Sequence, residues 1–340
     1  MSPGNHVQRL FVASALWLLF SASVQSEVAL KLVQTIPLPN VDGRIDHFAI
    51  DVKGRRAFLA ALAQNTIEVV DLKAGRATRT LAGFAKPQGV HFVAELNRLF
   101  VATGLDGALR TLDGTTLAVL RTANLSLGAD AIGYDSRSRY LFVGSGGSDA
   151  NRESGDLTVI SAVTGARVAA IVTDAHAGGS GVEKRGKRVY VLVPEKAEVV
   201  VLDRKTRAQL AKWTIPGIQK NVALDLDEKN HRLFLGVRTP ASVVVLDSTS
   251  GEVVASVPTV SMLDGLYYDQ AERRIYTSGG EGFVDVTQQI DADHYERIAR
   301  VATGPNARTS KFVPEWRRLY VAVPRDQDRS AGLLVFEVVP

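Results

Sequence analysis

A four-residue phrase returns seven times along this chain: a basic or aromatic residue, a small or branched apolar one, an aromatic, then usually an aliphatic. It reads Arg56-Ala57-Phe58-Leu59, Arg98-Leu99-Phe100-Val101, Tyr140-Leu141-Phe142-Val143, Arg188-Val189-Tyr190-Val191, Arg232-Leu233-Phe234-Leu235, Arg274-Ile275-Tyr276-Thr277 and Arg318-Leu319-Tyr320-Val321. The steps between aromatics are 42, 42, 48, 44, 42 and 44 residues. A strand-rich repeat of roughly 40–45 residues corresponds to one four-stranded blade of a β-propeller. The expected fold is therefore all-β: a seven-bladed β-propeller with four antiparallel strands per blade. A length of 340 residues would by itself favour two domains. The repeat overrides that expectation, because each blade buries its faces only against its neighbours. Residues 27–340 read as a single propeller domain.

Blade five shows the unit. Asn221–Asp227 reads as the innermost strand, Arg232–Val237 as the second, Ser242–Asp247 as the third and Glu252–Pro258 as the outer one. The apolar run Val243-Val244-Val245-Leu246 fits a strand covered on both faces. Asp247-Ser248-Thr249-Ser250-Gly251 then turns the chain. An aspartate can accept from the turn's own backbone, and glycine supplies the positive φ. Asp71 to Gly75 and Ser161 to Gly165 repeat this turn, with looser versions at Asp113 and Asp203. Taken in register, these aspartates are turn caps rather than catalytic carboxylates.

Counting back from each aromatic tests the register. Eight residues before it stand Ile50, Phe92, Tyr134, Val182, Leu226, Tyr268 and Phe312, all apolar in body. Eleven before it the residues are mostly small, as convergence of the blades on the axis requires; His47 is the bulky exception. The last repeat ends with its third strand, Leu333–Val338, and Leu30–Pro37 resembles a fourth. The N-terminal strand is thus expected to complete blade seven and close the ring, which removes a long bare edge.

Ahead of that strand, Arg9 precedes the apolar run Leu10–Phe20, followed by small residues up to Ser26. Residues 1–26 read as an export signal peptide with cleavage after Ser26, the alternative being an uncleaved anchor. The expected location is periplasmic or secreted. There is no cysteine, so disulfides, thiolate nucleophiles and thiolate metal sites are excluded. The net charge of +4 comes from scattered Arg and Lys without long like-charged runs. A nucleic-acid partner is not expected.

The innermost strand ending in Asp, the Arg-x-Phe/Tyr-Val phrase, the Val-x-Val-x-Asp strand and the Thr-Gly turn together resemble the YVTN-repeat, or YncE-like, seven-bladed propellers over essentially the whole chain after the leader. Arg44–Asp51, Asn65–Asp71, Ser278–Phe283 and Asp291–Glu296 are similar to an exported bacterial subgroup of that family. The resemblance implies a fold and a compartment but no shared reaction.

The loops leading into innermost strands, and those joining second to third strands, share one face of a propeller around the axial channel. Arg44, Asp46, His47, Lys86, Gln88, Asp130, His176, Lys220, Asp264 and Arg308 fall there and are the candidate ligand-binding residues. Asp46, Asp130 and Asp264 could hold a hard divalent cation such as calcium. Arg44, Lys86, Lys220 and Arg308 could grip an anion. Alternating salt bridges would use the same residues structurally. The blade-three loop Gly144–Gly155 supplies the long 48-residue step and is expected to be mobile on the mouth face. Asp291-x-Asp293-His294-x-Glu296 has a metal-like composition, but it falls at a turn on the opposite face.

No nucleophile, base and orienting group stand at recognisable spacing. The expected function is a ligand- or protein-binding scaffold that uses its axial mouth, as a monomer without a resident cofactor. The alternative is a metal-assisted, lactonase-like hydrolase or lyase built from the carboxylates and histidines of the mouth.

Overall fold

Seven four-stranded antiparallel sheets make up the computed structural model, which describes Met1 and residues 29–340. The expected export leader otherwise lies outside the described residues. Blade one runs Ile45–Asp51, Arg56–Ala61, Thr66–Asp71 and Arg76–Ala82 from the axis outward. Blade five runs Gln219–Asp227, Arg232–Thr239, Ala241–Asp247 and Val253–Pro258, within a few residues of the strands expected from sequence. Each innermost strand contacts those of the blades before and after it, so the sheets close into a ring. Among the described residues no helix is long and apolar enough to cross a membrane.

The blade aromatics hold neighbouring sheets together. Phe58, Phe100, Phe142, Tyr190, Phe234, Tyr276 and Tyr320 are all buried. In three blades the aromatic meets the residue that stands eight before the next aromatic. Phe58 stacks on Phe92 at 5.7 Å, Phe234 tilts on Tyr268 at 5.0 Å and Tyr276 on Phe312 at 5.2 Å. Truncating such a ring removes contacts from two blades at once, a loss of about 3–5 kcal/mol.

The turn aspartates cap. Asp71 accepts from the amides of Lys73 and Ala74, Asp113 from Thr115 and Thr116, Asp203 from Lys205 and Thr206, and Asp247 from Thr249 and Ser250. Asp291 does the same for Asp293 and His294, which places the metal-like segment in an ordinary turn.

Close approach at the axis explains the small residues. A Cβ on Gly89 would lie 2.1 Å from the Asp130 carbonyl oxygen, and one on Gly265 2.3 Å from Ser310 Oγ. The ring closes as expected: Leu30–Pro37 pairs antiparallel with Gly332–Val338, from Leu30 opposite Val338 to Pro37 opposite Gly332.

Candidate functional site

Bulges bring chemistry to the mouth. The innermost strands of blades one, two, five and six shift register between Ile45 and Phe48, Pro87 and Val90, Asn221 and Ala223, and Leu263 and Gly265. An extra residue in one strand bends it and re-aims side chains. Asp46, His47, Gln88 and Asp264 sit on these bulges. His47 and Asp264 line an axial cavity of about 130 Å³ together with Ser180, Tyr267, Thr309 and Ser310.

Around that cavity the charges interlock. Arg44 Nη2 donates to Asp46 Oδ1 at 3.1 Å and lies 3.5 Å from Asp264 Oδ2. Arg238 Nη2 donates to Asp264 Oδ1 at 2.7 Å, and its Nε donates to the Leu263 carbonyl at 2.8 Å. Across the mouth, Asp130 faces two imidazoles: His47 Nε2 at 3.6 Å and His176 Nε2 at 3.9 Å. The Nδ1 of His176 lies 3.1 Å from the Gly146 carbonyl, an acceptor only, so Nδ1 carries the proton. In its neutral form His176 therefore turns a lone pair toward Asp130.

The electrostatics follow from this crowding. Asp46 is 1% exposed. Burial pushes its carboxyl up to about 6; His47 and Arg44 pull against the shift, while Asp130 and Asp264 add to it. Burial presses the His47 imidazole down, but Asp46, Asp130 and Asp264 together outweigh it and hold His47 above its ordinary value. The ring is 38% exposed to channel solvent, which weakens the burial penalty and leaves that direction intact. Arg308 is held below its ordinary value by burial and by repulsion from Arg44 and Arg238.

Several of these polar atoms are not satisfied. Asp46 Oδ2, Asp130 Oδ1, Asp264 Oδ2, Gln88 Oε1 and Arg308 Nε are buried without a hydrogen-bond partner among the described residues. Leaving such a group unpaired costs about 1–3 kcal/mol, and more if it is charged. Native structures carry few of them, and each calls for an explanation.

Of the sequence candidates, Arg44, Asp46, His47, Asp130, His176, Asp264 and Arg308 come together. Lys86 turns away and pairs with Asp149 at 3.1 Å. Lys220 is exposed, and Gln88 is buried beside Gly104. The blade-three loop, expected to be mobile, is tied on both sides. Asp149 holds Lys86 of blade two, and Ser148 Oγ donates at 2.8 Å to Glu195 of blade four. Among the described residues no three ligating side chains converge as a metal group. Arg238 was not singled out from the sequence. Its signal was available: it ends a second strand, and second-to-third-strand loops open on the mouth.

No family model matches the chain, and no curated protein matches it. Solved structures do. A chain of the Kuenenia stuttgartiensis hydrazine synthase superposes with a TM-score of 0.72 at 14% identity, covering 83% of this chain and 94% of that one. A chain in the crystal structure of the mitotic checkpoint complex superposes with a TM-score of 0.76 at 13% identity, covering 99% of this chain and all of the other. At such identities the likeness is one of fold alone, a β-propeller.

Proposed function

We propose that this chain is an exported, YncE-like propeller that binds a small ligand or a protein segment at its axial mouth. The observation that carries this reading is a set of buried polar atoms without a hydrogen bond in the charged cluster of the axial mouth: one oxygen each of Asp46, Asp130 and Asp264, and the Nε of Arg308, with Asp264 also lining the axial cavity. They ask for a ligand with both N–H donors and an anionic group. A free amino acid and the terminus of a peptide have that chemistry. The hydrazine synthase and checkpoint-complex chains support a scaffold fold and carry no ligand identity to this one.

Calorimetry with glycine, glycine betaine and a short peptide tests the reading. Glycine or the peptide is expected to bind and betaine, which lacks N–H donors, is not. Asp46→Asn and Arg308→Gln are each expected to weaken binding by about tenfold or more, in line with the loss of one charge-assisted hydrogen bond. Equal binding of betaine, or binding unchanged in both variants, refutes it. The metal-assisted hydrolase or lyase has a separate arm: stoichiometric uptake of calcium that disappears in Asp264→Ala would favour it over a plain binding module.

A further inference from the structure

Two residues below the layer of His47 and Gly265 lies a second ring, formed by the residue nine before each blade aromatic. Register identifies it: His91 pairs with Phe100, Asp225 with Phe234, Tyr267 with Tyr276 and Lys311 with Tyr320. The three remaining positions are Ala49, Gly133 and Gly181. All the chemistry of this layer thus lies on blades two, five, six and seven.

Three of the four polar members are committed. Tyr267 donates its hydroxyl to the Ser310 carbonyl of the next blade at 2.7 Å. Asp225 accepts from the amides of Leu226 and Tyr268, each at 2.8 Å. His91 packs on Tyr134 of the next blade at 5.6 Å. Lys311 is different. Its Nζ lies 5.4 Å above the Tyr267 ring, and among the described residues no acceptor hydrogen-bonds it. Asp225 acts on it only through space, and it in turn acts on His91. Tyr267 and Ser310, its immediate neighbours, line the axial cavity.

We propose that Lys311 is a nucleophilic amine that takes a small carbonyl compound, an aldehyde or a 2-oxo acid, from the axial cavity and holds it as an imine. A half-buried lysine without a close counter-ion is biased toward its neutral form, and burial does press Lys311 below its ordinary value, with Asp225 offsetting only part. Burial, with the Lys311 charge adding to it, pushes the His91 imidazole down to about 3. The Nζ lone pair adds to the carbonyl carbon, the C–O π bond opens, and the oxygen takes a proton. The carbinolamine then loses this oxygen as water, which carries away both protons of the amine. No oxidant or reductant is involved. One water needs roughly 10–15 Å³ of such space. The cavity of about 130 Å³ therefore limits the partner to several heavy atoms.

The test is trapping. The full chain is incubated with glycolaldehyde, which is uncharged, or with pyruvate, then reduced with borohydride, and the modified lysines are mapped by mass spectrometry over a pH series. At neutral pH, Lys311 is expected to be labelled by at least one probe faster than exposed Lys53 and Lys73. Asp225→Asn removes the one charge that raises the amine, so the pH midpoint of labelling moves down. Lys311→Arg loses the adduct; if that variant does not fold, the pH profile of the native chain still decides. Absence of label on Lys311 with both probes, or a profile that matches the exposed lysines, overturns the proposal. Neither result depends on the mouth ligand, because glycolaldehyde makes no use of Arg308 or Asp46.

Discussion

Asp46 is a buried acid whose ionisation the fold opposes. Its folded value of about 6 lies above the ordinary 3.8, so the native state holds this proton more tightly than the unfolded chain does. Its contribution to stability is fully present below about pH 4 and is lost as pH rises through about 6. His47, held above its ordinary 6.5, has the same sign: its contribution is present below that value and is lost as pH passes its folded value. Asp46→Asn is therefore expected to be more stable than the native chain at about pH 7, by an amount on the order of 1–3 kcal/mol, with the advantage vanishing near pH 4. Denaturant unfolding at a series of pH values checks this; a difference between the two proteins that does not vary with pH refutes it.

Individual elements are joined by a few buried ties. Arg204, in the outer turn of blade four, grips Asp135 of blade three through two of its nitrogens, Nε to Oδ2 at 2.7 Å, and donates from Nη1 to the Glu183 carbonyl at 2.9 Å. Both side chains are buried. Removing one partner of such a pair strands a charge, so Arg204→Ala should cost about 3–5 kcal/mol, and Arg204→Lys, which lacks the fork, should recover only part. Chemical denaturation measures both; a loss no larger than that of an exposed pair argues against the tie. Blades two and three meet even more closely. Gly89→Ala would put a methyl 2.1 Å from a carbonyl oxygen of Asp130. It is expected to destabilise by about 1–3 kcal/mol and, by displacing Asp130, to shift the titration of His47 followed by NMR. An unchanged His47 titration would mean that the blades yield elsewhere.

At the scale of the whole molecule, stability depends on closure. Without Leu30–Pro37 the strand Gly332–Val338 becomes an open edge, and an open edge invites pairing with another chain. A chain beginning at residue 38 is expected to unfold less cooperatively and to associate on size exclusion, whereas one beginning at residue 29 behaves like the full described ring. Matching melting and elution of the two would refute the latch. The aromatic spacing, the Asp-to-Gly turns and the small residues near the axis were legible in the sequence because each blade repeats one local environment, and repeated environments select repeated residues. The same periodicity made Asp71, Asp203 and Asp247 recognisable as caps and left Asp46, His47 and Asp264 standing out. It did not reveal Arg204, whose partner lies 69 positions away, or Arg238, which reaches the mouth from the end of a neighbouring strand. Nor did it weigh Lys311, because its meaning depends on what faces it across the axis. Sequence by itself determined the number of blades, the order of strands and the closing segment, all of which rest on local pattern and chain continuity. Only the tertiary structure decided which charges meet, which stay unpaired and how far burial moves their protons, since these depend on distances across a channel that no single repeat contains.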